Sequence, residues 1–346
     1  MAFVETMKPR ERLLNALAGK PVDRPPVYAP ASIVTLELMD LLDAPFPDSV
    51  RDPELNARLG ATAYTELGFD HVYLNPTLVM EPSALGCEIQ WEQKDNWPTV
   101  RMSRPIWKGP EEIKIPTGFL DHPDIQVVIK GIEMLKREFG DEVAICGKTQ
   151  GPWTIAYHVF GVQNFLLMAI DDPDMTLDAL HRLTEITVLF GEAQIAAGAD
   201  VLTFPDHATG DLVSGEFYRR FLLEIHQEIA ERLDIPLVLH ICGKTLDRMD
   251  YIAQTGLAAF HFDSKNDPVE AMNVVDGRIT MVGNINSPVT LYSRGPDQVR
   301  EEAYRALDAG VQIIGPEGAA PLATRLENLL EIPRAVRDWC EEHNQS

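Results

Sequence analysis

The sequence predicts an α/β fold, and within that class a (β/α)8 barrel. Three observations carry this. Eight short apolar, β-branched runs alternate with longer amphipathic segments along the 346 residues. The runs are bounded by Gly, Pro and Asp, as suits parallel strands buried on both faces. No G-x-G-x-x-G follows the first run, so the competing doubly wound sheet lacks its phosphate turn.

The eight expected strands are 26–29 (PVYA), 70–74 (DHVYL), 143–146 (VAIC), 200–204 (DVLTF), 237–242 (LVLHIC), 259–263 (AFHFD), 279–283 (ITMVG) and 312–315 (QIIG). Helical spacing fills most intervals. The stretches 175–198 and 296–310 each end in glycine, the residue that accepts a left-handed helix end. A third helix is expected over 215–233. Residues 1–24 form a helix-like N-terminal extension. Residues 75–142 are an insertion between the second and third strands, rich in Trp, Pro and charge. It reads as a hairpin, CEIQWEQ then TVRMS, followed by a helix near 125–139. No Ser/Gly-rich linker and no repeat interrupts the chain, so 1–346 is one domain.

Composition narrows the function. Thirty basic against 53 acidic residues give a formal net charge of −23. So acidic a surface disfavours nucleic acid and anionic membranes as partners. No run of about 18 apolar residues predicts a membrane span, and the N-terminus lacks a signal-peptide apolar core. Cys87, Cys146, Cys242 and Cys340 are widely spaced without a C-x-x-C, which argues against a disulfide framework. The chain reads as cytoplasmic, in a reducing compartment.

In such barrels the chemistry gathers at the C-terminal ends of the strands. There the sequence places Asn75, Cys146, Asp206 with His207, His240 with Cys242, Asp263, Asn284 with Asn286, and Glu317 in the turn GPEGAAP. His240 and Cys242 are two apart on one strand, so imidazole and thiol project to the same side. Both are zinc-type ligands. H-x-C alone is a weak motif, and a buried cysteine also serves as a small apolar residue.

Several segments resemble the uroporphyrinogen decarboxylase superfamily, and within it the methylcobamide:coenzyme M methyltransferase branch. They are MKPRERLLNALAGKPVDRPPVY at the start, GFDHVYLNPTLVMEPSALGCEIQW, GPWTIAYHVFGVQNFL, AGADVLTFPD, HICG and MVGNINSP. The resemblance covers nearly the whole chain and implies a (β/α)8 barrel of the TIM type. Decarboxylases of the superfamily carry an arginine-rich N-terminal motif for the porphyrinogen carboxylates. This chain reads RPPVYAPASIVTLELMD there, with no arginine after Arg24.

The methyltransferase branch holds zinc with H-x-C and a distant cysteine after the eighth strand. The resemblance therefore assigns His240 and Cys242 as metal ligands. Glu317 stands where the third cysteine aligns, and as a carboxylate it is an acceptable zinc ligand. Alternatively it caps the following helix or meets a basic substrate group. Asp206 and Asp263 are the candidate catalytic carboxylates, as acceptors that orient His240 or its neighbours; as N-caps they would be structural. Asn284, Asn286 and Tyr157 are candidate contacts to a corrinoid or substrate, with turn geometry and packing as the alternatives. Met80, Trp91 and Trp97 in the insertion meet either a large apolar cofactor or the core.

The activity implied is zinc-dependent methyl transfer between methylcobalamin or another methylcorrinoid and a thiol such as coenzyme M, or another acceptor. The chain contains no D-x-H-x-x-G cobalt-binding loop, so the corrinoid should arrive on a partner corrinoid protein or free. The alternatives are methylation of a corrinoid protein by an O-methyl or other donor, a metal-free decarboxylation of a porphyrinogen-like acid, and a non-catalytic binding protein.

Overall fold

The computed structural model describes residues 4–74 and 77–343; Asn75, expected at a strand end, lies outside the described residues. In chain order the strands are β1 (His71–Tyr73), β2 (Ile89–Gln90), β3 (Thr99–Val100), β4 (Ala144–Lys148), β5 (Val201–Pro205), β6 (Leu237–Ile241), β7 (Ala259–Phe262), β8 (Thr280–Ile285) and β9 (Ile313–Pro316). All but β2 and β3 form one parallel sheet, ordered β1-β4-β5-β6-β7-β8-β9. β2 and β3 pair antiparallel, as the hairpin expected in the insertion.

The run 26–29 departs from expectation. It joins the sheet through a single bridge, Val27 to Ile314 of β9. Tyr28 N–H donates to Ile314 O, Ile314 N–H to Pro26 O, and Asp70 N–H to Val27 O. The segment thus links the last strand to the first and closes the barrel as its eighth stave. Prolines 25, 26 and 30 lack N–H donors, which leaves too few for a regular ladder.

Strand alternation sorts the apolar residues into two cores. Tyr28, Tyr73, Cys146, Val201, Val238, Val282 and Ile313 fill the barrel interior. Their neighbours along each strand pack outward against the helices. Leu13, Ala16 and Leu17 of the helix Pro9–Leu17 join the inner cluster, so the N-terminal extension plugs the barrel floor. A buried charge network fixes that plug. Asp70 accepts from Arg12 Nη1 at 2.6 Å, Arg24 Nη1 at 2.8 Å and Val27 N at 2.7 Å. Arg24 is therefore spent on the floor, far from the mouth where a substrate would sit.

Helix ends follow their sequence signals. The helices Pro53–Thr65, Pro123–Phe139, Pro152–Phe160, Pro173–Ala197 and Pro296–Asp308 all open on proline, where the missing N–H costs nothing. Asp172 caps Pro173–Ala197 by accepting Met175 N–H, and Gly198 ends it in the left-handed region at φ 109°. The expected helix 215–233 is two, Gly215–Phe221 and Leu223–Arg232. Leu222 N–H still reaches Tyr218 O, and His226 N–H reaches Leu222 O, so the break is a local distortion at Leu222. Among the described residues no single helix is long and apolar enough to cross a membrane.

Candidate metal-binding site

Alternation along the strands decides which side chains meet at the mouth. Val238 points into the barrel, so His240 two residues on does too, followed by Cys242. His240 Nε2 lies 3.0 Å from Cys242 Sγ. On the neighbouring strand β7, His261 pairs in register with His240, and the two rings sit 4.5 Å apart. From the turn after β5, His207 presents its ring edge-on to His240 at 6.0 Å. Ligating atoms of His207, His240 and Cys242 all fall within 4.8 Å of one another.

All three border a cavity of about 410 Å³. Its walls are largely apolar. Pro30 and Val79 line it from the loops after the first two staves, and Trp97, Pro98, Val100 and Met102 roof it from the insertion hairpin. Trp97 reaches the cavity while packing on Phe46 at 5.0 Å, whereas Met80 is plain core. Trp91 lies under the Arg51 guanidinium, outside the cavity lining.

Burial sets the protonation states. It lowers His240 well below its ordinary value, with His261 and His207 adding like-charge repulsion. It lowers His207 as well, and brings His261 down to about 4. The imidazoles are thus neutral, the form that ligates metals. The Cys242 thiol is pushed up to about 12, by burial and then by the carboxylates of Asp263 and Glu317. At neutral pH it stays protonated unless a bound cation stabilises the thiolate and the proton is released to solvent.

The expected site residues have distinct placements. Glu317, just beyond β9, is buried. Its Oε2 accepts Ser264 N–H at 2.7 Å and its Oε1 accepts Ser287 N–H at 3.1 Å. Burial and then neighbouring Asp263 push its carboxyl up to about 7, against those hydrogen bonds. Asp263 accepts Gly243 N–H at 2.8 Å, fastening the residue after Cys242. Asp206 is fully buried and turned away from the cavity. It accepts Thr154 N–H at 2.7 Å and pairs with His226 Nε2 at 3.0 Å. Tyr157 packs against Trp153 and Phe165 rather than lining the cavity. Asn284 and Asn286 face a separate crevice with Glu302 and Arg305. Asn286 Oδ1 also accepts Val289 N–H at 2.7 Å, a capping role.

The sequence pattern assigns no functional role to four groups that the structure brings to the mouth or its approach. His207 was visible only as the partner of Asp206. His261 looked like an ordinary strand residue. His158 lines the cavity from the helix Pro152–Phe160. Lys148 follows Cys146 on the inward face of β4 and lies 5.3 Å from the Tyr73 ring centroid, with Glu81 buried nearby. Burial lowers its pKa to about 7, with Glu81 opposing. A lysine inside an apolar strand run, AICGK, was the available signal.

Fold and site together define a (β/α)8 barrel with an imidazole–thiol cluster at its catalytic end. The profile of the family Uroporphyrinogen decarboxylase (URO-D) matches residues 8–339, and the chain belongs to that family. It is 34% identical over 332 residues to the methylcobamide:CoM methyltransferase MtaA of Methanosarcina barkeri, covering 95% of this chain and 97% of that protein. It is 29% identical to a methylated-thiol–coenzyme M methyltransferase of Methanosarcina mazei, over 97% of this chain and 91% of the relative. A solved methyltransferase structure from Methanosarcina mazei superposes with a TM-score of 0.92 at 32% identity, over 96% of this chain and 99% of that one.

Proposed function

We propose that the protein is a zinc-dependent corrinoid methyltransferase, moving a methyl group between a methylcorrinoid and a thiol or another acceptor. One observation carries the reading. An N,N,S donor set, with His240 buried and His207 and Cys242 part-exposed, opens onto a roomy cavity at the C-terminal end of the barrel. The names of the relatives support methyl transfer and a corrinoid substrate. The absent D-x-H-x-x-G loop supports a separate corrinoid protein as partner.

The donor set fits zinc, which takes imidazole and thiolate in tetrahedral sites and keeps one position open for catalysis. His240 and Cys242 would hold it, with a third ligand from a neighbouring strand end. Bound there, zinc supplies Lewis acidity that converts a thiol, ordinarily of pKa about 8.5, into a thiolate at neutral pH. The chain's own residues do the rest. Asp263 fixes the turn that carries Cys242, and His261 lies 2.6 Å from Pro316 O, holding β7 against the end of β9. The hairpin residues Trp97, Pro98, Val100 and Met102 give the cavity an apolar wall. In the transfer the acceptor sulfur attacks the methyl carbon in line, the C–S bond forms as the cobalt–carbon bond breaks, and the electron pair stays on cobalt as Co(I).

A second reading is methylation of Co(I) by an O-methyl donor. The size and apolar lining of the cavity favour it, since a small thiol needs little of that space. Methylcobalamin demethylation followed in absorbance with a panel of thiols separates the two. The leading reading expects thiol-dependent loss of methylcobalamin. No loss with any thiol, together with methylation of Co(I) by an aryl methyl ether, would replace it with the second.

A further inference from the structure

We infer that the third protein ligand of this site is His207, delivered by the turn after β5, and that Glu317 is a backbone clamp rather than a ligand. The inference rests on the metal reading above and deepens it.

The distances favour His207. Its ring closes a three-atom set with His240 and Cys242 inside 4.8 Å, and all three side chains border the same cavity. Glu317 belongs to neither group. Both of its carboxylate oxygens are occupied, one by the Ser264 amide and one by the Ser287 amide. These amides open the turns after β7 and β8, so the carboxylate ties three consecutive strand ends together. Swinging it onto a metal would strand both N–H groups in a buried place, where an unpaired amide is costly.

His207 is also held as a ligand needs to be. Its backbone N–H donates to Thr154 Oγ1 at 2.8 Å. The preceding Asp206 anchors the turn from the other side, through Thr154 N–H and His226 Nε2. Tyr218 Oη in turn lies 2.8 Å from His226 Nδ1, completing a fully buried Tyr–His–Asp chain. Gly151 makes room for it, since a Cβ there would lie 2.3 Å from Asp206 Cγ. Asp206 is thus a positioning residue for His207, acting through the backbone. Such supporting partners are known to tune metal affinity through the ligand they orient.

The exchange changes the charge of the site. Two neutral imidazoles and one thiolate leave a bound divalent ion with one net positive charge. A His/Cys/carboxylate set would leave none. The His207 set therefore makes the stronger Lewis acid and the better host for an incoming anion.

The test measures zinc affinity by competition with a chromophoric chelator, together with the absorption spectrum of the Co(II)-substituted protein. It compares the full chain with His207→Ala, Glu317→Gln and Asp206→Asn. The thiolate–cobalt charge-transfer band reports Cys242 and should persist in Glu317→Gln. His207→Ala is expected to lose about 100-fold or more in affinity, and Asp206→Asn about 10-fold, while Glu317→Gln stays within about threefold. Far-UV circular dichroism and melting check each variant's fold, and His207→Gln replaces any His207→Ala protein that fails to fold. Loss of zinc in Glu317→Gln with retention in His207→Ala would overturn the assignment, as would a wild-type chain that binds no zinc. Zinc bound in the expected pattern without any methyl transfer would sink the function reading alone. Active methyl transfer with the ligand pattern reversed would sink this inference alone.

Discussion

At the scale of single residues, burial of charge is the dominant effect. Lys148 has a folded-state pKa of about 7, set by desolvation, against about 10.4 in an unfolded chain. Between those values the unfolded state binds the extra proton, so stability rises with pH across this window and is lost as pH falls back through 7. Lys148→Met removes the linkage. It is expected to be the more stable protein at pH 7, with its advantage shrinking by pH 10. Denaturant midpoints at pH 7, 8.5 and 10 check this, and parallel curves for the two proteins would refute it. Asp23 gives the same direction of pH dependence for the opposite reason, because its charged form is favoured in the fold. Burial raises its pKa, but the Arg12 hydrogen bond and the Met7 and Thr6 amides outweigh that and hold it well below the usual carboxylate range. Its contribution is complete above the unfolded pKa of about 3.9 and fades as the pH drops below it. Asp23→Asn should therefore flatten the acid limb of the stability profile measured from pH 5 to pH 2. Asp70 sits between two buried guanidinium groups. Removing it in Asp70→Ala leaves both without that partner, and the expected loss is about 3–5 kcal/mol by chemical denaturation.

At the scale of elements, the strand ends place the chemistry and the caps fix the strand ends. The Pro173–Ala197 helix terminates at Gly198 with φ 109°, and a Cβ there would lie 2.7 Å from Lys136 Cγ. Gly198→Ala combines a strained backbone with that approach, so a loss of at least about 1 kcal/mol is expected in urea unfolding, with an unchanged m-value. How legible each element was follows from how local its causes are. The hairpin and the helices after Pro123, Pro173 and Pro296 were readable because proline starts, glycine stops and periodicity act within a few residues. The 26–29 stave was misjudged as a full strand because its pairing depends on which partner donors reach it across the closed barrel. The break at Leu222 likewise has no mark in the amphipathic pattern.

At the scale of the whole molecule, a metal that binds only the folded barrel must stabilise it. At a free zinc level about 1,000 times the dissociation constant, the gain is about 4 kcal/mol. A strong chelator is therefore expected to lower the melting temperature of the wild-type protein. It should leave His240→Ala unchanged; equal shifts in both proteins would show that the chelator acts elsewhere.

The sequence by itself determined the barrel, most of its order of elements, the N-terminal helix, and the projection of His240 and Cys242 to one side. Those follow from periodicities of two and 3.6 residues and from local turn chemistry, all written in neighbouring positions. It also placed this chain beside its relatives. Only the tertiary structure decided what Glu317, Asp206 and His207 do. Each is a polar residue just beyond a parallel strand, and sequence cannot say which way such a side chain turns. The packed neighbours say it: two amides claim Glu317, a buried histidine claims Asp206, and His207 is left facing His240 and Cys242 across the mouth. Partners separated by dozens of residues are chosen by the closure of the barrel, and that closure is a property of all eight staves at once.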